Sequence, residues 1–198
     1  MFDLVNLVHT AGYVGLFLII FAESGIFLGL FLPGDSLLFT TGFLASQGYL
    51  HIGIILPLFF LAAFLGDSVG YWIGYKIGPK IFTREKSLWF NPANVERTRI
   101  FFDKHGKKAI VIARFVPIIR TFIPVMAGVG EMKYETFLFY NIVGAAIWAV
   151  GITLLGYVFG NSIPNADHYI FPVVGLVVIV SLIPVAVEFL KARNKAKP

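Results

Sequence analysis

Four stretches of the chain, residues 13–32, 52–75, 137–160 and 169–190, each run for twenty residues or more with no more than one charge. A helix crosses about 30 Å of hydrocarbon in roughly 20 predominantly apolar residues. In lipid every backbone polar group has to be satisfied inside the segment, and a helix does this. The runs therefore predict an all-α polytopic membrane protein. Charge agrees, because 14% of Asp, Glu, Lys and Arg is far below the roughly 25% of a soluble domain. That composition excludes a disordered chain, a nucleic-acid module and a disulfide scaffold. The absence of cysteine removes thiol catalysis, thiolate metal sites and side-chain redox chemistry. No cleaved targeting segment is expected, since MFDLVNLVH lacks a basic start and the first apolar run ends in FLPGD without a small-residue cleavage site.

Two further apolar runs do not fit the spanning template. Residues 37–50 are too few to cross, and 109–130 carry Arg114 and Arg120 together with Pro117 and Pro124. The distribution of basic residues decides how these runs sit. Of sixteen Lys and Arg, nine fall within 76–108 and four within 191–197, so the net charge of +5 reads as membrane orientation and not as a basic partner-binding face. Loop 76–108 and tail 191–198 are then both cytoplasmic, and an even number of crossings separates them. Segments 137–160 and 169–190 supply two. Segment 109–130 must therefore enter and leave on one side as a re-entrant hairpin, 37–50 is a second re-entrant piece on the outer side, and both termini are cytoplasmic. The expected fold is a single domain over 1–198. It has about four transmembrane helices, two re-entrant or broken hairpins facing each other, and a cytoplasmic amphipathic helix within 76–108. Pro92, Val95, Phe101, Phe102 and Gly106 mark that helix's start, apolar face and end. It either anchors the topology or recognises a lipid or partner.

The two odd segments share a pattern. FLPGDSLLFTTGFLA from Phe31 and FVPIIRTFIPVMAGVG from Phe115 each begin F-x-P, carry a charge soon after and close on glycine. Broken segments entering from opposite sides are the mark of inverted-repeat transporters, whose sites lie near the midplane where the halves meet.

Apart from Glu188 near the end of the last run, five charges fall inside apolar segments or, for Asp35, at the break between two of them: Glu23, Asp35, Asp67, Arg114 and Arg120. Each is costly in hydrocarbon unless it has a partner or a wet cavity, and each is a functional hypothesis for that reason. Glu23 has no cation near it in sequence. Asp35 follows Pro33-Gly34, a break that frees backbone groups and lets the chain turn. Arg114 and Arg120 are six residues apart, on opposite sides of any continuous helix, and a break at Pro117 lets both guanidinium groups converge. In one reading Glu23, Asp35, Arg114 and Arg120 neutralise each other as structural ion pairs. In the other the arginines hold an anionic group, which a bidentate guanidinium suits, while the dehydrated carboxylates carry protons near neutral pH and gate the site. Buried ion pairs are a costly route to stability, which favours the second reading. Asp67 either caps the fold or joins the site.

Gly66, Gly70, Gly74 and Gly78 recur every fourth residue, and Gly25 with Gly29 and Gly156 with Gly160 repeat the device. Such stripes let helices approach closely and predict packing without chemistry. The histidines at 9, 51, 105 and 168 share no ligand spacing, so no metal site is expected. Trp72, Trp89 and Trp148 read as interface anchors and packing.

Several motifs then occur in order. They are E-S-G-x6-L-P-G-D-S-L-L-F from Glu23, G-D-S-V-G-Y-x-I-G from Gly66, A-R-F-V-P-I-I-R-T-F from Ala113, M-A-G-V-G-x-M from Met126 and N-x-x-G-A-x-x-W from Asn141. Together they resemble the DedA family of bacterial inner-membrane proteins, which shares the VTT (SNARE-associated) domain with eukaryotic lipid scramblases. The resemblance covers nearly the whole chain. It implies two facing re-entrant hairpins and cytoplasmic termini; no cofactor is expected. It also implies a role, dependent on protons or membrane potential, in envelope homeostasis by flipping undecaprenyl phosphate back across the cytoplasmic membrane. The family's functional acids fall on Glu23 and Asp35 and its functional arginines on Arg114 and Arg120.

The expectation is thus a lipid-phosphate flippase and not an enzyme. Glu23 and Asp35 couple protons, Arg114 and Arg120 bind the phosphate, and Asp67, Pro33, Gly34 and Pro117 give support. Its partners are a polyprenyl phosphate lipid and protons, with no nucleic acid. Two alternatives stand beside it. A proton-coupled exporter of small cations, or a scaffold, would tolerate lysine at both arginines. An intramembrane polyprenyl pyrophosphate phosphatase could use Ser24 and Ser36 beside Glu23 and Asp35, but no histidine in the apolar segments and no dense acidic cluster is present to protonate a leaving group or hold a metal.

Overall fold

The computed structural model of the chain describes residues 4–25, 34–81, 100, 102, 104–163 and 172. The first half comprises α1 (Leu4–Gly25), α2 (Gly34–Ser46) and α3 (Ile52–Ile81). In the second half a 3-10 turn (Gly106–Lys108), α4 (Ala109–Ile112) and another 3-10 turn (Ala113–Phe115) lead into α5 (Pro117–Val129). Then α6 (Tyr134–Ala145) passes through a π-helical turn (Ala146–Val150) into α7 (Gly151–Ser162). No strand occurs among the described residues.

Two helices, Ile52–Lys76 and Tyr134–Ser162, are long and apolar enough to cross a membrane, and they coincide with the expected spans 52–75 and 137–160. Their outer faces expose Leu61, Leu65 and Trp72 from α3 and Phe139, Ile142 and Leu155 from α6 and α7. Apolar stripes of that extent are unfavourable against water and fitted to lipid. The first helix begins earlier than expected. It starts at Leu4 and not at 13, and its described part ends at Gly25. The remainder of 13–32, the span at 169–190, the tail 191–198 and most of the loop helix within 76–108 lie outside the described residues.

The run at 37–50 is a 13-residue helix that begins earlier, at Gly34, and closes through a turn at Gly48, whose φ of +80° suits a residue without Cβ. The run at 109–130 is broken where expected. Val116 is extended, with φ −119° and ψ 104°, because the proline that follows disfavours helical backbone at the preceding residue. Pro117 then occupies the first helical position of α5, where its missing N–H costs nothing.

Each short helix packs against the long helix of the other half. A Cβ added at Gly42 of α2 would strike the Thr153 carbonyl, and one at Gly156 the Phe39 carbonyl. In the other half a Cβ at Gly128 of α5 would strike the Tyr71 carbonyl, and one at Gly74 the Val125 carbonyl. Each half thus lends its short helix to the long helix of the other. Gly25 and Gly66 face one another where α1 meets α3, and Gly70 lies against Pro124. The Gly66, Gly70 and Gly74 stripe therefore serves two neighbours, α1 and α5, by close backbone approach.

Apolar packing forms two clusters. One gathers Ile20, Leu38, Ile55, Phe59 and Trp148 from α1, α2, α3 and the π-helical turn. The other gathers Tyr71, Ala109, Ile110, Ile123 and Phe137. Beside the second, Tyr71, Trp72, Tyr75 and Tyr134 stack at the end of α3 and the start of α6, and Lys76 Nζ lies 6.0 Å from the Trp72 ring centre. Tyrosine and tryptophan next to lysine is the side-chain pattern of a membrane–water interface.

Candidate functional site

The five charges expected inside apolar segments assemble into two adjoining groups. The first is built on Arg120, which α5 presents three residues into the helix opened by Pro117. Its Nη1 donates to Asp35 Oδ1 at 3.0 Å, and its Nη2 donates to Glu23 Oε1. The cation missing near Glu23 in sequence is thus supplied from 97 residues away. Glu23 is 1% exposed and Arg120 11%, whereas the side chain of Asp35 is 47% exposed. One guanidinium is therefore shared by a sealed carboxylate and an open one.

Gly34 makes this possible. Its backbone N–H, at the start of α2, donates to Glu23 Oε1 at 3.1 Å, so the carboxylate serves as an acceptor at a helix N-terminus, where the dipole favours negative charge. A Cβ on Gly34 would overlap the same carboxylate. Glu23 Oε2 has no hydrogen-bond partner although it is buried.

The second group is built on Arg114, in the 3-10 turn ahead of the break. Its Nη2 donates to Asp67 Oδ2 of α3 and to Asn141 Oδ1 of α6. Asn141 Nδ2 donates to the Phe64 carbonyl at 3.0 Å and to Ser68 Oγ at 3.3 Å, so the amide ties α6 to α3 while holding the arginine. A Cβ at Gly144 would lie 2.6 Å from Arg114 Nε; the glycine of the N-x-x-G motif makes room for the guanidinium.

Arg114 and Arg120 converge, as the break at Pro117 predicted, but on an unexpected side chain. Trp148, read as an interface anchor or a packing residue, packs in the core, with its ring centre 6.0 Å from Arg114 Cζ and 5.1 Å from Arg120 Cζ. Its Nε1–H donates to Asp35 Oδ1 at 2.7 Å. Trp72 does have the exposed, lysine-flanked setting of an anchor, and Trp89 lies outside the described residues. Asp67 belongs to the cluster through Arg114, so the charge balance includes it. With every group ionised, two arginines against three carboxylates leave one negative charge in excess, where Glu23, Asp35 and the arginines alone would sum to zero. Asn141 and Trp148 are the site residues that motif reading missed. Their signal was the spacing of Asn141, Gly144 and Trp148 on one helical face of an otherwise apolar span.

Breaking one half of a buried pair leaves an uncompensated charge, at about 3–5 kcal/mol, whereas replacing both halves by apolar residues of similar volume is often neutral. Asp67→Leu alone is therefore expected to lower the unfolding temperature in detergent sharply, and Asp67→Leu combined with Arg114→Met to recover most of that loss. Equal losses in the single and double variants would show that the pair is not what Asp67 contributes.

Among the described residues, an all-helical fold with two membrane-length apolar helices and a buried, charge-rich centre beside the break at Pro117 defines a class of integral membrane protein. The VTT domain profile matches residues 32–158. Protein DedA of Escherichia coli strain K12 is 42% identical over 186 residues, 93% of this chain and 84% of that protein. An uncharacterized membrane protein of Mycobacterium tuberculosis strain H37Rv is 44% identical over 187 residues, 92% of this chain and 82% of that protein. The inner membrane protein YqjA of Escherichia coli strain K12 is 36% identical over 153 residues, 76% of this chain and 68% of that protein. The chain belongs to the DedA family of membrane proteins, which carry the VTT domain. No solved structure matches it.

Proposed function

We propose that the protein is a proton- or potential-dependent transporter of lipid phosphate in the bacterial cytoplasmic membrane, with undecaprenyl phosphate as its cargo, and not an enzyme. The observation that carries this reading is the arginine shared by two carboxylates, one sealed and one open. Arg120 receives the phosphate through the side where Asp35 is exposed, and Arg114, against the same indole, contributes the second cation. A phosphate and a carboxylate compete for one guanidinium fork. Protonation of Glu23 and Asp35 releases Arg120 to the phosphate, and deprotonation reclaims it. The excess of one carboxylate in the cluster means that at least one proton is needed for neutrality before any anion enters. The polyprenyl chain stays in lipid along the exposed faces of α3, α6 and α7. In this topology the Trp72, Tyr75 and Tyr134 belt marks the cytoplasmic side, and both termini are cytoplasmic.

The test uses purified protein in liposomes carrying undecaprenyl phosphate in both leaflets. Accessibility of phosphate in the outer leaflet is followed with and without an imposed pH gradient. The wild type is expected to redistribute phosphate in a gradient-dependent way, and Glu23→Gln to lose the gradient dependence. Redistribution indifferent to the gradient in both proteins sinks the proton-coupled gate. Free phosphate released from polyprenyl pyrophosphate added to the same vesicles would make the protein a phosphatase.

A further inference from the structure

Trp148 touches both ion-pair groups, and nothing in the transport reading assigns it a task. It is 2% exposed, with the two guanidinium groups against its ring and Asp35 on its N–H. Arg120 answers to Glu23 and Asp35, and Arg114 to Asp67 and Asn141. The indole therefore stands where a movement in either group has to be felt by the other.

The backbone beneath it is irregular. Ala146–Val150 is a π-helical turn, and single π turns within α-helices concentrate at functional positions because they re-aim one side chain. Trp148 lies within this turn and on the same side as Asn141 and Gly144. Asn141 fixes Arg114, and Gly144 gives its Nε room. Arg120 Nη1 and Trp148 Nε1 both donate to the one oxygen Asp35 Oδ1. Tilting the indole therefore alters the bond that Asp35 makes with Arg120.

We propose that Trp148 is a positioning residue that couples the two ion-pair groups, so that the placement of Arg114 by Asn141 sets how Asp35 holds Arg120. The coupling does not depend on which anion Arg120 receives, and it stands or falls separately from the lipid-phosphate reading. The charged groups around the indole are Glu23 from α1, Asp35 from α2, Asp67 from α3, Arg114 from the 3-10 turn and Arg120 from α5.

The fluorescence of the protein itself tests this without transport. Full-length protein carrying Trp72→Phe and Trp89→Phe has Trp148 as its single tryptophan, and its emission is titrated against pH in detergent. Carboxylate and carboxylic acid act differently on an indole whose N–H they accept, so emission is expected to pass through a transition that Asp35→Asn abolishes. Asn141→Leu changes no charge and touches only the far group. It is expected to move the midpoint by about half a pH unit or more. Gly144→Ala, which displaces Arg114 by sterics instead, is expected to move it too and serves if Asn141→Leu does not fold. A midpoint unchanged in the folded variants, or no pH-dependent emission in the single-tryptophan protein, overturns the proposal.

Discussion

Arg120→Lys is expected to reduce lipid-phosphate transport by about 10- to 100-fold while leaving the protein folded. The reason is geometric. Arg120 spends its two terminal nitrogens on carboxylates from different helices, Nη1 on Asp35 of α2 and Nη2 on Glu23 of α1. Lysine keeps the charge but gathers its donors on one nitrogen and lacks the planar fork, so it cannot hold both carboxylates in the geometry that Nη1 and Nη2 give. A hydrogen bond to a charged group is worth about 1.5–3 kcal/mol, and each 1.4 kcal/mol is roughly a factor of ten. A phosphate taking the same fork loses its bidentate contact in the same way. Transport rates in liposomes, set beside thermal unfolding of the same samples, check this. Undiminished transport by Arg120→Lys would favour a small-cation exporter or a scaffold, because neither needs the planar fork.

Gly34→Ala, the smallest substitution possible at that position, is expected to cost about 3–5 kcal/mol, the penalty of leaving a buried charge without its partner. A methyl group at Gly34 occupies the space of the Glu23 carboxylate. Glu23 then leaves Arg120, the Gly34 N–H loses its acceptor, and a buried carboxylate is stranded in an apolar surround. The unfolding temperature in detergent is expected to fall steeply and transport to vanish. Gly15→Ala is the control. It lies within α1 with nothing inside 4 Å of an added Cβ, and alanine there gains up to about 1 kcal/mol of helix propensity. Equal behaviour of the two variants would mean that the Glu23 carboxylate does not need glycine at position 34 to make room for it.

How far the site could be read along the chain follows from the range of each interaction. The break at Pro117 was legible because proline restricts the residue before it, and Val116 is extended accordingly. Glu23, Asp35, Asp67, Arg114 and Arg120 were legible because charge in an apolar segment is conspicuous wherever it falls. Their partners were not. Arg114 and Arg120 are six residues apart yet serve different carboxylates, and Asp67 proved to be the direct partner of Arg114. The packing role read for Trp148 holds, but its contacts with Arg114, Arg120 and Asp35 were hidden for the same reason. A tryptophan in an apolar helix looks alike whether it ends at a headgroup or a guanidinium, and only the helices packed around it decide which.

The sequence by itself determined that this chain is helical and built for lipid, that one segment breaks at Pro117, and that Glu23, Asp35, Asp67, Arg114 and Arg120 need partners. These follow from local chemistry: the solvation of a segment by its surroundings, the fixed φ of proline and the cost of burying an ion. The tertiary structure alone decided that Arg120 is shared by Glu23 and Asp35, that Arg114 is held by Asp67 and Asn141, and that an indole lies between them. Pairings of that kind join residues up to 113 positions apart. They depend on how closely Gly42, Gly74, Gly128 and Gly156 let the helices approach, which no local stretch of the chain encodes.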